Sequence, residues 1–526
     1  MRPLVRWNAH LEKTYYSLTA LRAQTKRESG DQISLADVIG NPVKRLADLL
    51  LSLPAVFGGS LCFLAVLVLR TDLWPNYESD IWWQAAVGRD ILASAAVPRT
   101  DPYSFTAQGT GWMAYEWLAD AGFALLHSGA GLDGWMLLRV SLTAILLVLL
   151  FYYSVLRTGN LLASYLGTVL LFRTAAHFCY LRPQLIGFVF LAGLLVLLER
   201  YRQGRSAHLW ALPVLTLVWV NTHGSFVIGM VVLGWFWLTT LKELRFGRLV
   251  TGDFQPRQRR HVGGVLLLCM LALAVTPYGI RLAIYPFQFA MLQLPSVPEW
   301  GPPDFRLALW IFFGFLAALV LLGLALSKEI RLFDSGLVAL FLSYALLHRR
   351  FAILFVIIAA PTLAALIGRF VPNLVPQQNH PHKQRLLHGA FLAAFLFGIF
   401  LIFPSEQDHQ QAIAASFPVG AVEYLQQHPI PAGLFNDYRW GSYLIWALGP
   451  SHKVFIDGRT DLYESAGILS DYVEIAGLNN PLERLRKYGV VACLIEPGTP
   501  LADFLESQPN WEVAYRDEGS VLFRRQ

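Results

Sequence analysis

Residues 51–70 of this chain read LSLPAVFGGSLCFLAVLVLR, in which nineteen uncharged residues precede Arg70. A helix of about 20 apolar residues matches the hydrocarbon thickness of a bilayer, so the stretch predicts a transmembrane helix. Ten similar stretches follow, roughly at 135–156, 159–176, 183–199, 207–220, 225–241, 262–276, 307–326, 334–347, 351–368 and 387–403. The sequence therefore predicts a membrane all-α bundle of about 11 transmembrane helices. Several stretches are short, which is tolerated where a helix ends in a protein-lined cavity.

The composition of the chain excludes an ordinary soluble protein. Of its 526 residues 55% are hydrophobic and 15% are charged, whereas soluble domains are about a quarter charged. The net charge of +6 lies in short basic clusters between apolar stretches, a pattern that indicates membrane orientation and not nucleic-acid binding. The four cysteines are scattered, without the spacing of disulfide or zinc frameworks.

The basic loops predict the orientation of the bundle. Lys and Arg concentrate before residue 50 and in ERYRQGR (199–205), KELRFGR (242–248), RQRR (257–260) and HKQR (382–385), whereas NTHG (221–224) and TPYG (276–279) carry none. By the positive-inside rule the basic loops are cytoplasmic. We therefore expect a multi-pass protein of the plasma (inner) membrane, with a cytoplasmic N-terminus and an extracytoplasmic C-terminus.

Three regions follow from this pattern. Residues 1–50 form a predicted cytoplasmic segment with an interfacial helix on which Leu4, Trp7 and Leu11 share one face. Residues 51–403 form the transmembrane domain, including a segment at 71–134 that we call the outer loop. Residues 404–526, called the C-terminal domain, alternate strand-like runs with helical stretches and predict a small extracytoplasmic α/β domain.

The outer loop is expected to contain two amphipathic helices. One apolar face includes Ile81 and Ala85, and a second includes Leu118 and Leu125. We expect both helices to lie at the membrane interface over a cavity, with four tryptophans at headgroup level: Trp82, Trp83, Trp112 and Trp117.

Polar residues concentrate at the predicted outer ends of the spans. Ionisable groups at membrane depth are unfavourable, so they usually serve a substrate or one another. Carboxylates suit acid–base work, and arginines can bind a phosphate bidentately. The candidate catalytic residues are Asp80, Glu78 and Glu116, and the candidate substrate-binding residues are Asp101, Arg182, Gln184, Asn221, His223, Tyr278, Glu299, Trp300, Arg349 and Arg350. The alternative interpretation is that these groups form structural ion pairs between the outer loop and the bundle.

Four motifs accompany these residues: DIWW (80–83), WMAYEW (112–117), NTHG (221–224) and FIDGRTDLY (455–463). With the long first outer loop and many short spans, the chain resembles the GT-C superfamily of membrane glycosyltransferases. The resemblance implies transfer of a sugar or glycan from a polyprenyl-phosphate-linked donor, with membrane lipids as surroundings. It also implies that an acid of the first loop is the base, a role that falls on Asp80. A clear second D-x-D or W-W-D motif is lacking, so no cofactor is assigned and a divalent metal stays an open alternative.

Asp80 is the strongest catalytic candidate because it opens a predicted helix, whose N-terminus helps to keep a carboxylate ionised. Glu78 is its nearest rival and Glu116 the next. In FIDGRTDLY, Asp457, Arg459 and Asp461 are interpreted first as turn chemistry, since Asp-Gly is a strong turn signal. Two other functions stay open, namely a transporter or flippase of a lipid-linked substrate and a non-catalytic scaffold of envelope assembly.

Overall fold

The computed structural model describes residues 51–73, 79–205, 208–291, 298–374, 381–430 and 433–526. The interfacial helix predicted within residues 1–50 and the candidate Glu78 lie outside these residues.

Helices dominate the described residues between 53 and 402, and all except the helices Asp80–Ser94 and Ile280–Met291 overlap a predicted apolar stretch. Their bounds are α1 Leu53–Leu73, α2 Asp80–Ser94, α3 Trp117–Thr158, α4 Leu161–Ala175, α5 Pro183–Arg202, α6 Ala211–Val220, α7 Phe226–Leu241, α8 Pro256–Ala272, α9 Ile280–Met291, α10 Ala308–Ala325, α11 Leu332–Leu347, α12 Ala352–Ile367 and α13 Pro381–Ile402. Within the described ranges, seven helices are long and apolar enough to cross a membrane, and three shorter apolar helices accompany them. The chain is therefore a multi-pass membrane protein with a helical bundle.

Helix α3 joins two elements that the sequence predicts as separate helices. It runs from the second amphipathic helix of the outer loop into the span predicted at 135–156. The break between them is at Gly131, whose φ of 56° and ψ of −145° are not helical. A glycine tolerates this left-handed backbone without the steric strain that a Cβ atom would add. The kink lets one helix contribute both to the outer loop and to the bundle.

The C-terminal domain is a small α/β unit, as predicted. Its strands are β4 Leu434–Asn436, β5 Ala492–Ile495, β6 Trp511–Arg516 and β7 Val521–Arg525, and its helices are α14 Glu406–Ser416, α15 Val419–Gln427, α16 Gly441–Leu448, α17 Thr460–Ser465, α18 Ile468–Ala476, α19 Pro481–Lys487 and α20 Pro500–Glu506. The sheet order is β4-β5-β7-β6, with β4 parallel to β5 and the other pairs antiparallel. A second, three-stranded sheet of two-residue strands joins β1 Arg245–Phe246, β2 Leu249–Val250 and β3 Ile330–Arg331.

The outer loop extends the sheet of the C-terminal domain. Val454 forms one parallel bridge with Leu434 of β4 and another with Ser104 of the outer loop. The backbone N–H of Phe105 donates to the carbonyl of Val454 at 3.1 Å, and the N–H of Val454 donates to the carbonyl of Tyr103 at 3.1 Å. Backbone groups that would otherwise form an open sheet edge are therefore paired.

One apolar core spans the outer loop and the C-terminal domain. The ring of Trp82 lies 5.8 Å from that of Phe417 and 5.2 Å from that of Tyr443, both in the C-terminal domain. The prediction that the loop helix is not solvated is confirmed, because the side chains from Ile81 to Gly88 are buried. The headgroup position expected for Trp82, Trp83 and Trp112 is wrong, since all three rings are at most 6% exposed. Protein atoms replace the lipid that an apolar helix face otherwise requires.

A buried charge network ties the bundle together at the opposite end. Arg157 of α3 lies 2.8 Å from Asp334 of α11 and 3.6 Å from Glu199 of α5. Arg331 and Arg202 contact the same carboxylates. Buried charges persist only when paired, so the network holds three helices in register.

Candidate functional site

Asp80 is the first residue of α2, and Arg182 immediately precedes α5. The residue before a proline is restricted to extended backbone, and Arg182, which precedes Pro183, has φ −132° and ψ 158°. Its Nη2 atom lies 3.1 Å from Oδ2 of Asp80, whose side chain is 22% exposed. Burial raises the pKa of Asp80 above its usual value, and the Arg182 guanidinium opposes that rise. A partly accessible carboxylate thus meets a guanidinium at the junction of loop and bundle.

Glu116 occupies the N-cap position of α3, makes no side-chain capping hydrogen bond, and is 6% exposed. Its Oε2 atom accepts a hydrogen bond from Nε2 of Gln84 at 2.9 Å. Burial, and next the Asp80 carboxylate, raise the pKa of Glu116 to about 8. Glu116 is therefore mostly protonated at neutral pH, in contrast to an ordinary glutamate.

His223 lies in the turn between α6 and α7, with Nε2 at 3.6 Å from Oε1 of Glu116. Its Nδ1 atom accepts from the backbone N–H of Ser225 at 3.1 Å, so the proton of the neutral ring belongs on Nε2, which faces Glu116. Burial, and next the cations Arg350 and Arg182, lower the pKa of His223 to about 3. At neutral pH the contact is therefore a neutral one.

Two short turns bring further charges to the same place. Glu299 and Trp300 belong to the 3-10 turn Pro298–Trp300, and Oε1 of Glu299 lies 3.8 Å from Nη1 of Arg182. The guanidinium of Arg350 stacks over the Trp300 ring, 4.4 Å from its centre. Nδ1 of His348 lies 2.6 Å from the carbonyl oxygen of Trp300, which fixes the two turns together. We call Asp80, Glu116, Arg182, His223, Glu299 and Arg350 the polar cluster.

The C-terminal domain also reaches the polar cluster. The backbone of Gly458 lies so close to Asp80 that a Cβ atom added at this position would overlap with Oδ1 of Asp80. Burial raises the pKa of Tyr438, and the Asp80 carboxylate adds to that rise. Asp461 accepts a short hydrogen bond from Tyr285 of α9, whose ring lies 5.1 Å from that of Tyr115. The segment from Asp457 to Asp461, which we call the 457–461 turn, therefore borders the cluster.

Three of the predicted substrate-binding residues instead have structural contacts. Asp101 is 1% exposed and pairs with Arg459 at 2.6 Å. Asn221 accepts from Nε1 of Trp117 at 2.8 Å and donates to the carbonyls of Leu217 and Val275. The hydroxyl of Tyr278 donates to the carbonyl of Pro98 and accepts from the N–H of Ala114.

The prediction that Asp101, Asn221 and Tyr278 bind substrate stays a prediction, and each of the three side chains has protein partners. Their hydrogen-bonding groups hold the outer loop in place, because a buried polar group needs a protein partner. For these three residues the contacts agree with the alternative interpretation of structural contacts.

The remaining candidates give less information. Gln184 is half-buried in the first turn of α5, and Arg349 is half-buried beside Arg350, with its backbone N–H donating to the carbonyl of Gly301 at 2.9 Å. Within the described ranges, no three His, Cys, Asp or Glu side chains converge as a metal site would require.

Sequence reasoning missed Gln84, Tyr285 and Tyr438. Gln84 had a usable signal, since it is a polar residue one helical turn after Asp80 on the face that α2 buries. Tyr285 and Tyr438 had none, because the carboxylates of the site that they face, Asp461 and Asp80 respectively, are far away in the chain. Asp461 was noticed in the sequence and interpreted as part of a turn.

Comparison with known proteins identifies the fold. No protein-family model matches the chain, and no curated protein sequence matches it significantly. Among solved structures, ArnT from Cupriavidus metallidurans bound to undecaprenyl phosphate is similar over 88% of this chain and 97% of its own, with 14% identity and a TM-score of 0.52. The oligosaccharyltransferase of Archaeoglobus fulgidus, tethered with an acceptor peptide, is similar over 89% of this chain and 74% of its own, with 10% identity and a TM-score of 0.51.

The arabinofuranosyltransferase AftD from Mycobacteria is similar over 89% of this chain, which spans 40% of AftD, with 13% identity and a TM-score of 0.51. All three are membrane glycosyltransferases of the GT-C superfamily. Likeness at these identities concerns the fold, and it extends over both the bundle and the C-terminal domain. The chain is thus a multi-pass membrane protein with the GT-C fold.

Proposed function

We propose that the protein transfers a sugar or glycan from a polyprenyl-phosphate carrier to an acceptor on the extracytoplasmic side of the membrane. The observation that carries the proposal is the pair formed by Asp80 and Arg182, with a partly exposed carboxylate 3.1 Å from a guanidinium. The similar ArnT structure holds undecaprenyl phosphate, which is a carrier of the proposed class. Asp101, Asn221 and Tyr278 have no part in this mechanism.

In the proposed reaction Asp80 is the general base. The acceptor hydroxyl or amine loses its proton to the Asp80 carboxylate while its heteroatom attacks the anomeric carbon of the donor. The bond between that carbon and the carrier phosphate oxygen breaks, and the bond electrons leave with the phosphate. Attack opposite the leaving group inverts the anomeric centre. Partial burial keeps the pKa of Asp80 above its usual value, which favours proton uptake.

Arg182 and Arg350 are the proposed phosphate ligands. Both cations lie close enough to His223 to lower its pKa, so the two guanidinium groups share one region of the cluster. A guanidinium can bind two phosphate oxygens at once, and its positive charge stabilises the negative charge that develops on a leaving phosphate. The neutral pair of Glu116 and His223 adds hydrogen-bonding groups without adding charge.

The experiment is a transfer assay on purified protein with radiolabelled polyprenyl-phosphate sugars and candidate acceptors. Wild-type protein should release free polyprenyl phosphate and label the acceptor. Asp80→Asn should reduce the rate by about 10²–10⁴-fold, because it removes a positioned general base. The matched control is Asp90→Asn on the same helix, where the carboxylate is 52% exposed and pairs with Arg89.

Two outcomes contradict the proposal. If Asp80→Asn keeps near-normal transfer, the base lies elsewhere. If wild-type protein moves labelled lipid across a liposome membrane and transfers nothing to any acceptor, the chain is a flippase.

A further inference from the structure

The 457–461 turn belongs to the C-terminal domain, yet it is fastened to the outer loop. Nη1 of Arg459 lies 2.6 Å from Asp101 of the loop, and Nη2 lies 2.6 Å from Asp457 of the turn. The three side chains are at most 1% exposed. The hydroxyl of Tyr463 donates a short hydrogen bond to Asp457, and that of Thr106 donates to the carbonyl of Phe455 at 2.5 Å. The turn is therefore rigidly placed relative to the loop that carries Asp80.

Within this fastened turn, Gly458 faces the Asp80 side chain. A Cβ atom at position 458 would overlap with Oδ1 of Asp80 and lie 3.3 Å from Nε1 of Trp83. Because the overlapping atom is the end of a side chain, a residue larger than glycine would push the carboxylate aside before it disturbed any backbone. The glycine at 458 thus leaves room for the orientation in which Oδ2 of Asp80 meets Arg182.

We propose that the C-terminal domain forms one wall of the active site and that Gly458 is a positioning residue, which sets the orientation of the Asp80 carboxylate. This inference rests on the proposed function, in which Asp80 is the base. The bundle provides the proposed phosphate ligands Arg182 and Arg350, and the outer loop provides the proposed base, Asp80. The C-terminal domain provides the backbone surface at Gly458 that Asp80 contacts. Tyr438 and Asp461 belong to the same wall, on either side of Gly458 in the sequence.

The test is Gly458→Ala, compared with Gly420→Ala in the same domain. Alanine at 420 would overlap with the hydroxyl of Tyr515, which is likewise the end of a side chain, but position 420 has no contact with Asp80. A displacement of about 1 Å at a reacting group can reduce the rate about 10²-fold. Gly458→Ala should therefore lower kcat by about 10–100-fold with little change in the KM for the lipid donor. It should also shift the acidic limb of the pH–rate profile, because Asp80 changes its distance from Arg182.

Gly420→Ala should leave kcat, KM and the pH profile close to those of wild type. If Gly458→Ala behaves like Gly420→Ala, the inference is overturned. If Gly458→Ala loses activity only by unfolding, with no shift in the pH profile of the surviving activity, Gly458 has a structural role and the inference is also overturned.

A second measurement does not depend on activity. Melting temperatures in detergent are recorded for wild type, Gly458→Ala, Asp80→Ala and the double variant. Asp80→Ala removes the oxygen with which the new Cβ atom would overlap. The decrease in melting temperature caused by Gly458→Ala should therefore be less than half as large in the Asp80→Ala background as in wild type. An equal decrease in melting temperature in both backgrounds would show that position 458 does not contact the Asp80 carboxylate, and it would overturn the inference. This holds even if no transfer activity is found. Absence of transfer together with a clear coupling contradicts the proposed function alone.

Discussion

Arg459 and Asp101 are 358 positions apart in the chain, and their buried side chains meet at 2.6 Å. The guanidinium also stacks over Trp112, 4.7 Å from the ring centre. Asp101 accepts further hydrogen bonds from the backbone N–H groups of Tyr103 and Ser104. This ion pair is a noncovalent contact that holds the outer loop to the C-terminal domain.

Replacing Arg459 by methionine, which keeps much of the volume, should strongly destabilise the protein. It leaves Asp101 and Asp457 buried without their cation, and breaking a buried pair reduces stability by about 3–5 kcal/mol. Thermal unfolding in detergent measures the effect. The control is Arg439→Met, whose side chain is 60% exposed and pairs with Asp437 and Glu496, so that its loss should change stability by about 0–1 kcal/mol. Similar melting temperatures for the two variants would show that the buried pair of Arg459 and Asp101 does not stabilise the protein.

Replacing Arg182 by glutamine should change the pH dependence of transfer. Burial raises the pKa of Asp80, and Arg182 is the cation that opposes this rise. Without Arg182 the pKa of Asp80 rises further, and a base must be ionised to accept a proton. The acidic limb of kcat/KM should therefore move to higher pH, with the largest loss of rate at low pH and partial recovery near pH 8.

The control for Arg182 is Arg99→Gln, because the exposed Arg99 donates to the carbonyl of Pro277 and is remote from Asp80. Its pH profile should match that of wild type. An unchanged acidic limb in Arg182→Gln would mean that Asp80 does not titrate in the reaction.

Glu116 should make the protein less stable as the pH rises. Its pKa is raised to about 8 in the folded protein, whereas an unfolded glutamate titrates near 4.5. The contribution of protonated Glu116 to the free energy of unfolding is therefore complete below about pH 4.5. It is lost as the pH rises toward 8, by at most about 1.4 kcal/mol per pH unit. Glu116→Gln imitates the protonated form and should remove this part of the pH dependence. Melting curves at pH 6 and pH 8.5 test this, and equal pH dependence in both proteins would contradict it.

The orientation of the bundle is a prediction from the basic loops. Reporter fusions at Gln258, beside RQRR, and at Gln526 should report opposite compartments, with Gln258 cytoplasmic. The paired reporters are an alkaline phosphatase and a green fluorescent protein, which are active on opposite sides of the membrane. A shared compartment for the two fusions would contradict the odd number of spans.

The sequence was most informative for the membrane helices, because the surrounding lipid requires apolar residues along them. Lipid demands long apolar helices, so the runs that predict spans reappear as helices, for example 307–326 as Ala308–Ala325. The α/β character of the C-terminal domain was also predictable, because strands and helices differ in local periodicity. Asp80 could be selected because a helix N-terminus and its charge preference are local features.

Tertiary structure alone decided the contacts between distant segments. Asp80, Arg182, Glu299 and Gly458 have no common signal in the sequence, since loops from the membrane domain and the C-terminal domain bring them together. The same contacts enclose Trp82 in protein, where a position at the lipid headgroups was expected, and they pair Asp101 with Arg459. From the sequence one can infer that an apolar helix face must be covered and that a carboxylate at membrane depth must be paired. The sequence does not show whether lipid, substrate or protein provides that contact. The sequence by itself thus determined the class of fold and suggested Asp80 as the leading candidate for the base. Packing decided which polar groups are satisfied by other protein groups, because that choice depends on distances between residues far apart in the chain.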